Sequence, residues 1–158
     1  MTDDVISLAT VVAAVGSALV AGVMLAFSTS VVPGLGRRPA SQAVAAMQAM
    51  NAVILNPVFG LAFGGTMLVC LALAVTAPFT GDHGDAGWRA AGALLYVVGT
   101  FGVTMVVNVP MNEALDAADP DSPAAAEQWG RFRPRWTAWN NLRTVAGIAG
   151  AVALTASL

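Results

Sequence analysis

The residues able to do chemistry gather in a few short stretches. In VVNVPMNEALDAADP, residues 106–120, an apolar run ends by placing Asn108, Pro110, Asn112 and Glu113 within six positions. Further on, Trp136, Asn140, Arg143 and Gly147 follow i, i+4, i+7, i+11 spacing, so a helix there carries an arginine and an amide on one face with an aromatic ring above them. Trp139 lies beside that set, and Asn51 and Asn56 stand before the second apolar segment. Other chemistries lack their residues. His83 is the only histidine and Cys70 the only cysteine, so His/Cys ligand sets and an inward haem ligand are missing, and neither a metal nor a cofactor is expected. His83 with Asp82 and Asp85 forms at best a weak metal site, and a solvated turn is the expected reading. There is no Ser-His-Asp arrangement, no phosphate-cradling glycine loop and no dinucleotide fingerprint. Chemistry has to run on Asn, Arg, Glu, Trp and hydroxyl groups.

The elements that position these residues read as membrane helices. With 57% hydrophobic and 10% charged residues, the chain is too apolar for an ordinary soluble domain. Its net charge of -2 argues against a nucleic-acid partner, which needs clustered basic residues. Four apolar segments, about 5–27, 57–77, 88–108 and 136–158, each match one bilayer crossing. The expected fold is all-α: a single-domain integral membrane four-helix bundle, with cytoplasmic connectors 28–56 and 109–135. Within the first connector, Ala43, Met47, Met50 and Ile54 recur at three- and four-residue steps, which predicts a short interfacial helix. Gly60 and Gly64 have the GxxxG spacing of a close helix contact. Pro33 reads as a break after the first helix and Pro110 as a stop for the third. MTDDV lacks the positive start of a secretory signal, so the first helix is expected to remain.

Arginines set the orientation. Arg37 and Arg38 lie in the first connector and Arg131, Arg133 and Arg135 in the third, against Arg89 alone near the second. The positive-inside rule therefore puts the first and third connectors in the cytoplasm of a multi-pass plasma-membrane protein, with both termini outside. All six asparagines (Asn51, Asn56, Asn108, Asn112, Asn140 and Asn141) then fall at the cytoplasmic level, where the first helix adds Phe27, Ser28, Thr29 and Ser30. The fifteen residues from Thr144 to Leu158 reach roughly 22 Å, short of a hydrocarbon core of roughly 30 Å, so Asn140, Asn141 and Arg143 are drawn into the boundary. An ionised side chain there usually faces the bundle or a wet cavity, and Glu113 is the nearest expected counter-charge. Singly, these residues have ordinary readings as caps, anchors and helix stops. Their shared level, with no asparagine at the outer ends, favours a polar pocket opening to the cytoplasm.

FSTSVVPGL near residue 27, AVAAMQAMNAVILNPVF across 43–59, VVNVPMNEAL across 106–115 and W-x-x-W-N-x-x-R-T from Trp136 to Thr144 resemble the anthrone oxygenase-like membrane proteins over nearly the whole chain. The resemblance implies a small four-helix membrane protein, and some relatives oxidise anthrones to anthraquinones without a known metal or flavin. On that expectation the substrate is a lipophilic aromatic. Glu113 acts as general base, Arg143 and Asn140 stabilise the enolate, and Asn108, Asn112, Trp136, Trp139, Asn51 and Asn56 line the substrate site. Two other classes use the same residues: a non-catalytic binding protein for a lipophilic small molecule, and an accessory subunit of a larger membrane complex. Homo-oligomers or membrane-protein partners fit the small-residue helix faces.

Overall fold

The computed structural model describes residues 2–79 and 83–158, and among them the ordered elements are all helical. We number five helices. α1 runs Asp3–Leu35, α2 Ala40–Ile54, α3 Pro57–Phe79, α4 Asp85–Asp116 and α5 Ala125–Ala156. Among the described residues, α1, α3 and α4 are long and apolar enough to cross a membrane. α5 is the C-terminal helix that joins them, with its polar residues concentrated in its first half. Of the turn at His83, Asp82 lies outside the described residues.

Side-chain size explains the packing. Large apolar residues point outward, as with Leu8, Leu19, Leu61, Leu68 and Val106, while Ala13, Ser17, Ala21, Ala93, Ala146 and Gly147 are buried. Small inward residues let backbones approach, and an apolar exterior suits contact with lipid. α5 packs along α1 and α4, and α3 packs along the same two helices from the other side. Backbone meets backbone most closely at Gly92 and Gly150, where an added Cβ on Gly92 would come within 2.8 Å of the Gly150 carbonyl oxygen and the Leu154 amide nitrogen. The expected Gly60 to Gly64 contact is corrected: a Cβ at either position meets nothing within 4 Å.

Two apolar cores lie along the long axis. One, built on Ala13, Val20, Met24, Cys70, Leu73, Tyr96 and Leu154, fills the space between the long helices. The other, built on Val32, Val44, Met47, Leu115, Trp129, Phe132 and Trp136, ties α2 to the ends of α1 and α4 and the start of α5. The 109–135 connector is thereby largely helical: α4 continues to Asp116 and α5 begins at Ala125, so Trp129 to Arg135, expected within a connector, are inside a helix. Buried Trp129 and Phe132 supply the reason, since they anchor that helix to the second core.

Neither Pro33 nor Pro110 ends its helix. Each follows a widened π turn, Phe27–Val31 before Pro33 and Thr104–Asn108 before Pro110. A proline removes one backbone donor and crowds the carbonyl four residues back, and a π turn absorbs that mismatch without breaking the helix. Two further π segments, Leu61–Gly65 in α3 and Leu95–Gly102 in α4, occur without proline.

Candidate functional site

The π turns free carbonyls and re-aim side chains toward one space. Phe27, Phe63, Phe101 and Thr104 all sit in π segments and all line a cavity of about 720 Å³ between the two cores. That volume lies within the range of roughly 300–1,000 Å³ usual for small-molecule sites. Its walls are mostly apolar, with Phe63 and Phe101 stacked at 4.9 Å and Met24, Met47 and Met50 beside them. α3 starts late, at Pro57, and α2 covers the space its missing turns would fill.

The deep polar wall is built on Arg143, which is 7% exposed. Its Nε and one terminal nitrogen donate to Asn140 Oδ1 at 2.9 and 2.6 Å, and the other terminal nitrogen donates to the Thr104 hydroxyl at 3.1 Å. Asn140, fully buried, donates in turn to the Ser28 hydroxyl and to the Met24 carbonyl, each at 2.6 Å. Met24 lies in the last α turn before the Phe27–Val31 π segment, so Asn140 ties α5 to α1 where its helix widens. The Arg143 guanidinium lies 5.2 Å from the centre of the Trp136 ring, and the Trp136 indole N–H donates to Asn112 Oδ1 at 2.7 Å. The cation is thus held by neutral acceptors and an aromatic face, and among the described residues no carboxylate is paired with it. Glu113, expected as its counter-charge, lines the cavity but is exposed, and Asp116 beside it accepts from Asn51 Nδ2 at 3.0 Å. The site therefore has a buried cation at its deep end and acids at its mouth.

Of the expected site residues, Asn51, Asn56, Asn112, Glu113, Trp136, Asn140 and Arg143 line this cavity. Asn56 is also the N-cap of α3, accepting from the Phe59 amide at 3.0 Å. Asn108 is fully buried behind the wall, its Nδ2 at 3.5 Å from the Trp136 carbonyl, and does not line the cavity. Trp139 is 39% exposed and does not line the cavity; it directly precedes Asn140 and so points about 100° round the helix from it. Thr104, Phe63 and Phe101 have no part in the site read from sequence, where Phe27 appears only at the level of the polar layer. Thr104 was nevertheless visible there: Thr100, Thr104, Asn108 and Asn112 recur every fourth residue, a polar stripe along an apolar helix. Thr100 donates to the Arg143 carbonyl at 3.1 Å and Thr104 to the Thr100 carbonyl at 2.6 Å, so the stripe binds α4 to α5. Among the described residues no group of three His, Cys, Asp or Glu side chains gathers for a metal.

The class is thus a helical protein with three helices long and apolar enough to cross a membrane, enclosing a cavity that sets a buried arginine among aromatic rings. The family model for anthrone oxygenase matches residues 54–153, and the chain belongs to that family. The matched segment contains the start of α3, the stripe on α4 and the Arg143 cluster on α5. No curated protein and no solved structure matches the chain.

Proposed function

We propose that this protein is a membrane-embedded, cofactor-independent oxygenase for a planar lipophilic aromatic that ionises to an oxyanion, as an anthrone does. The observation that carries the reading is the Arg143 guanidinium, buried at the end of an aromatic-lined cavity and bonded only to neutral groups. A site of this kind favours an anion, because the guanidinium was desolvated on folding and still lacks an opposite charge. The ring system lies among Phe27, Phe63, Phe101 and Trp136, with its oxygen toward Arg143.

The chemistry balances with oxygen alone. The benzylic carbon loses a proton, through water to Glu113 at the mouth, and the electron pair spreads into the ring and onto the oxygen beside Arg143. The carbanion passes one electron to O₂, the radical pair joins as a carbon peroxide, and loss of water leaves a new carbonyl. One O₂ is consumed, one oxygen atom enters the product and the other leaves as water. Leu55 and Met105 line the cavity and are also exposed, so substrate and oxygen both have an apolar way in from a bilayer.

The reading takes α5 as a fourth crossing, since its inward face carries the polar residues that lower its hydropathy. α2 then lies at the cytoplasmic boundary, and the arginine-rich end faces the cytoplasm. Purified protein given a simple anthrone should take up oxygen above background, with one quinone formed per O₂. Arg143→Ala and Glu113→Gln should each lower the rate by about 10²-fold. A background rate across several anthrones, with tight anthrone binding, would make the protein a carrier instead.

A further inference from the structure

A second, smaller site lies at the same end of the molecule and shares no lining residue with the cavity. Gln128, Arg131, Phe132 and Arg135 follow i, i+3, i+4, i+7 spacing and form one stripe on the first turns of α5. They face Met111, Ala114 and Leu115 on the last turns of α4, and together they bound a groove of about 270 Å³. Phe132 and Leu115 are buried and make its floor apolar. Gln128 Oε1 is buried without any hydrogen-bond donor, an unmet acceptor. Arg131 pairs only with Glu127 on the preceding turn, an exposed contact of the kind that contributes little, and Arg135 has no paired carboxylate among the described residues. None of Glu113, Asp116, Asp119 or Asp121 lines the groove.

The groove thus presents two guanidinium groups over a hydrocarbon floor, with an unmet acceptor buried in its wall. A complementary ligand carries an anion, a hydroxyl near it and an apolar tail. The 21 residues from Trp136 to Ala156 cover about 31 Å of helix, close to the roughly 30 Å hydrocarbon thickness, which puts Arg135 and Arg131 in the headgroup layer. We propose that this groove binds an anionic phospholipid with a hydroxylated headgroup, of the phosphatidylglycerol type. Arg131 and Arg135 hold its phosphate, the Gln128 side chain turns so that its buried Oε1 accepts from a headgroup hydroxyl, and the first acyl methylenes lie over Met111 and Ala114. This rests on the membrane placement given above and is independent of the oxygenase chemistry.

Native mass spectrometry of the full chain, with phosphatidylglycerol, phosphatidic acid and phosphatidylcholine of equal chain length, tests it. Phosphatidylglycerol should be retained over phosphatidylcholine by about tenfold or more, as two basic groups at a headgroup imply. Arg131→Gln with Arg135→Gln should abolish that preference. Gln128→Leu should remove the advantage of phosphatidylglycerol over phosphatidic acid while leaving both ahead of phosphatidylcholine. Arg37→Gln with Arg38→Gln, outside the groove, should change nothing. Equal retention of all three lipids overturns the proposal, as does an equal loss in the Arg37 and Arg38 variant, which would make the effect a diffuse attraction to a basic surface. If the double groove variant fails to fold, Arg135→Gln alone decides by the same comparison. The lipid result stands whether or not the protein takes up oxygen.

Discussion

Asn140 is the residue on which the buried charge depends. Its Oδ1 takes two of the Arg143 donors and its Nδ2 ties the pair to α1, so removal strands a guanidinium and frees two acceptors. Asn140→Ala should cost about 2–3 kcal/mol, the scale of lost hydrogen bonds to a charged group, read as a lower midpoint of unfolding in detergent. Asn140→Asp separates structure from electrostatics. It keeps an acceptor and should keep more stability than Asn140→Ala, yet it neutralises Arg143 and should depress anthrone oxidation at least as far. If Asn140→Asp retains full activity, an uncompensated cation is not what the site uses. At this scale the sequence was informative where helical spacing applied: the Trp136, Asn140, Arg143 face is legible from its four- and three-residue steps. Trp139 was misjudged because residue type was followed in place of its angle on the helix. The burial of Asn108 behind the cavity depends on how α4 rotates against α5, which a single helix pattern does not fix.

Helices, more than loops, shape the cavity, and their π turns are the means. The sequence reads Pro33 and Pro110 as ends because a proline in a regular helix is costly, and nothing in the residue string reports that a widened turn has absorbed the cost. Pro110→Ala removes the clash caused by the proline two residues after Thr104–Asn108, so the π turn should relax toward regular helix and rotate Thr104 from Arg143. We expect anthrone oxidation to fall by about tenfold or more while thermal stability stays the same or rises. Unchanged activity would mean that the neighbouring helices hold the turn by themselves. The glycine pattern was similarly incomplete: GxxxG named Gly60 and Gly64, whereas closeness occurs at Gly92 and Gly150, which lie on different helices and show no spacing within either. Gly92→Ala should destabilise by about 1–3 kcal/mol, since its new methyl meets backbone that cannot yield, while Gly60→Ala should be neutral or slightly stabilising. Thermal unfolding of the two purified variants side by side checks this. Equal midpoints would place α4 and α5 further apart than described.

At the scale of the whole molecule, one end differs from the other. Arg37, Arg38, Arg131, Arg133 and Arg135 all belong to the end where α2 caps the cavity, and Gly36 lies so near Arg133 that a Cβ there would meet its guanidinium. The helical class and the apolar segments were legible because composition and segment length decide them. The second core was not, because Trp129, Phe132 and Leu115 are scattered among arginines and aspartates and look like connector residues until α2 is set against them. That core makes the polar end a folded head on the bundle. An arginine-rich head should stay in the cytoplasm, since moving basic groups across the hydrocarbon is costly. Cysteine replacements at two exposed sites test this, with the native Cys70 buried and out of reach. In intact cells an impermeant thiol reagent should label Gly87→Cys, near the other end, and leave Asp121→Cys unlabelled until the cells are opened. Outside labelling of Asp121→Cys would invert the topology. The cavity mouth would then face away from the cytoplasm, and a substrate made inside the cell would have to reach Arg143 through the exposed apolar wall at Leu55 and Met105.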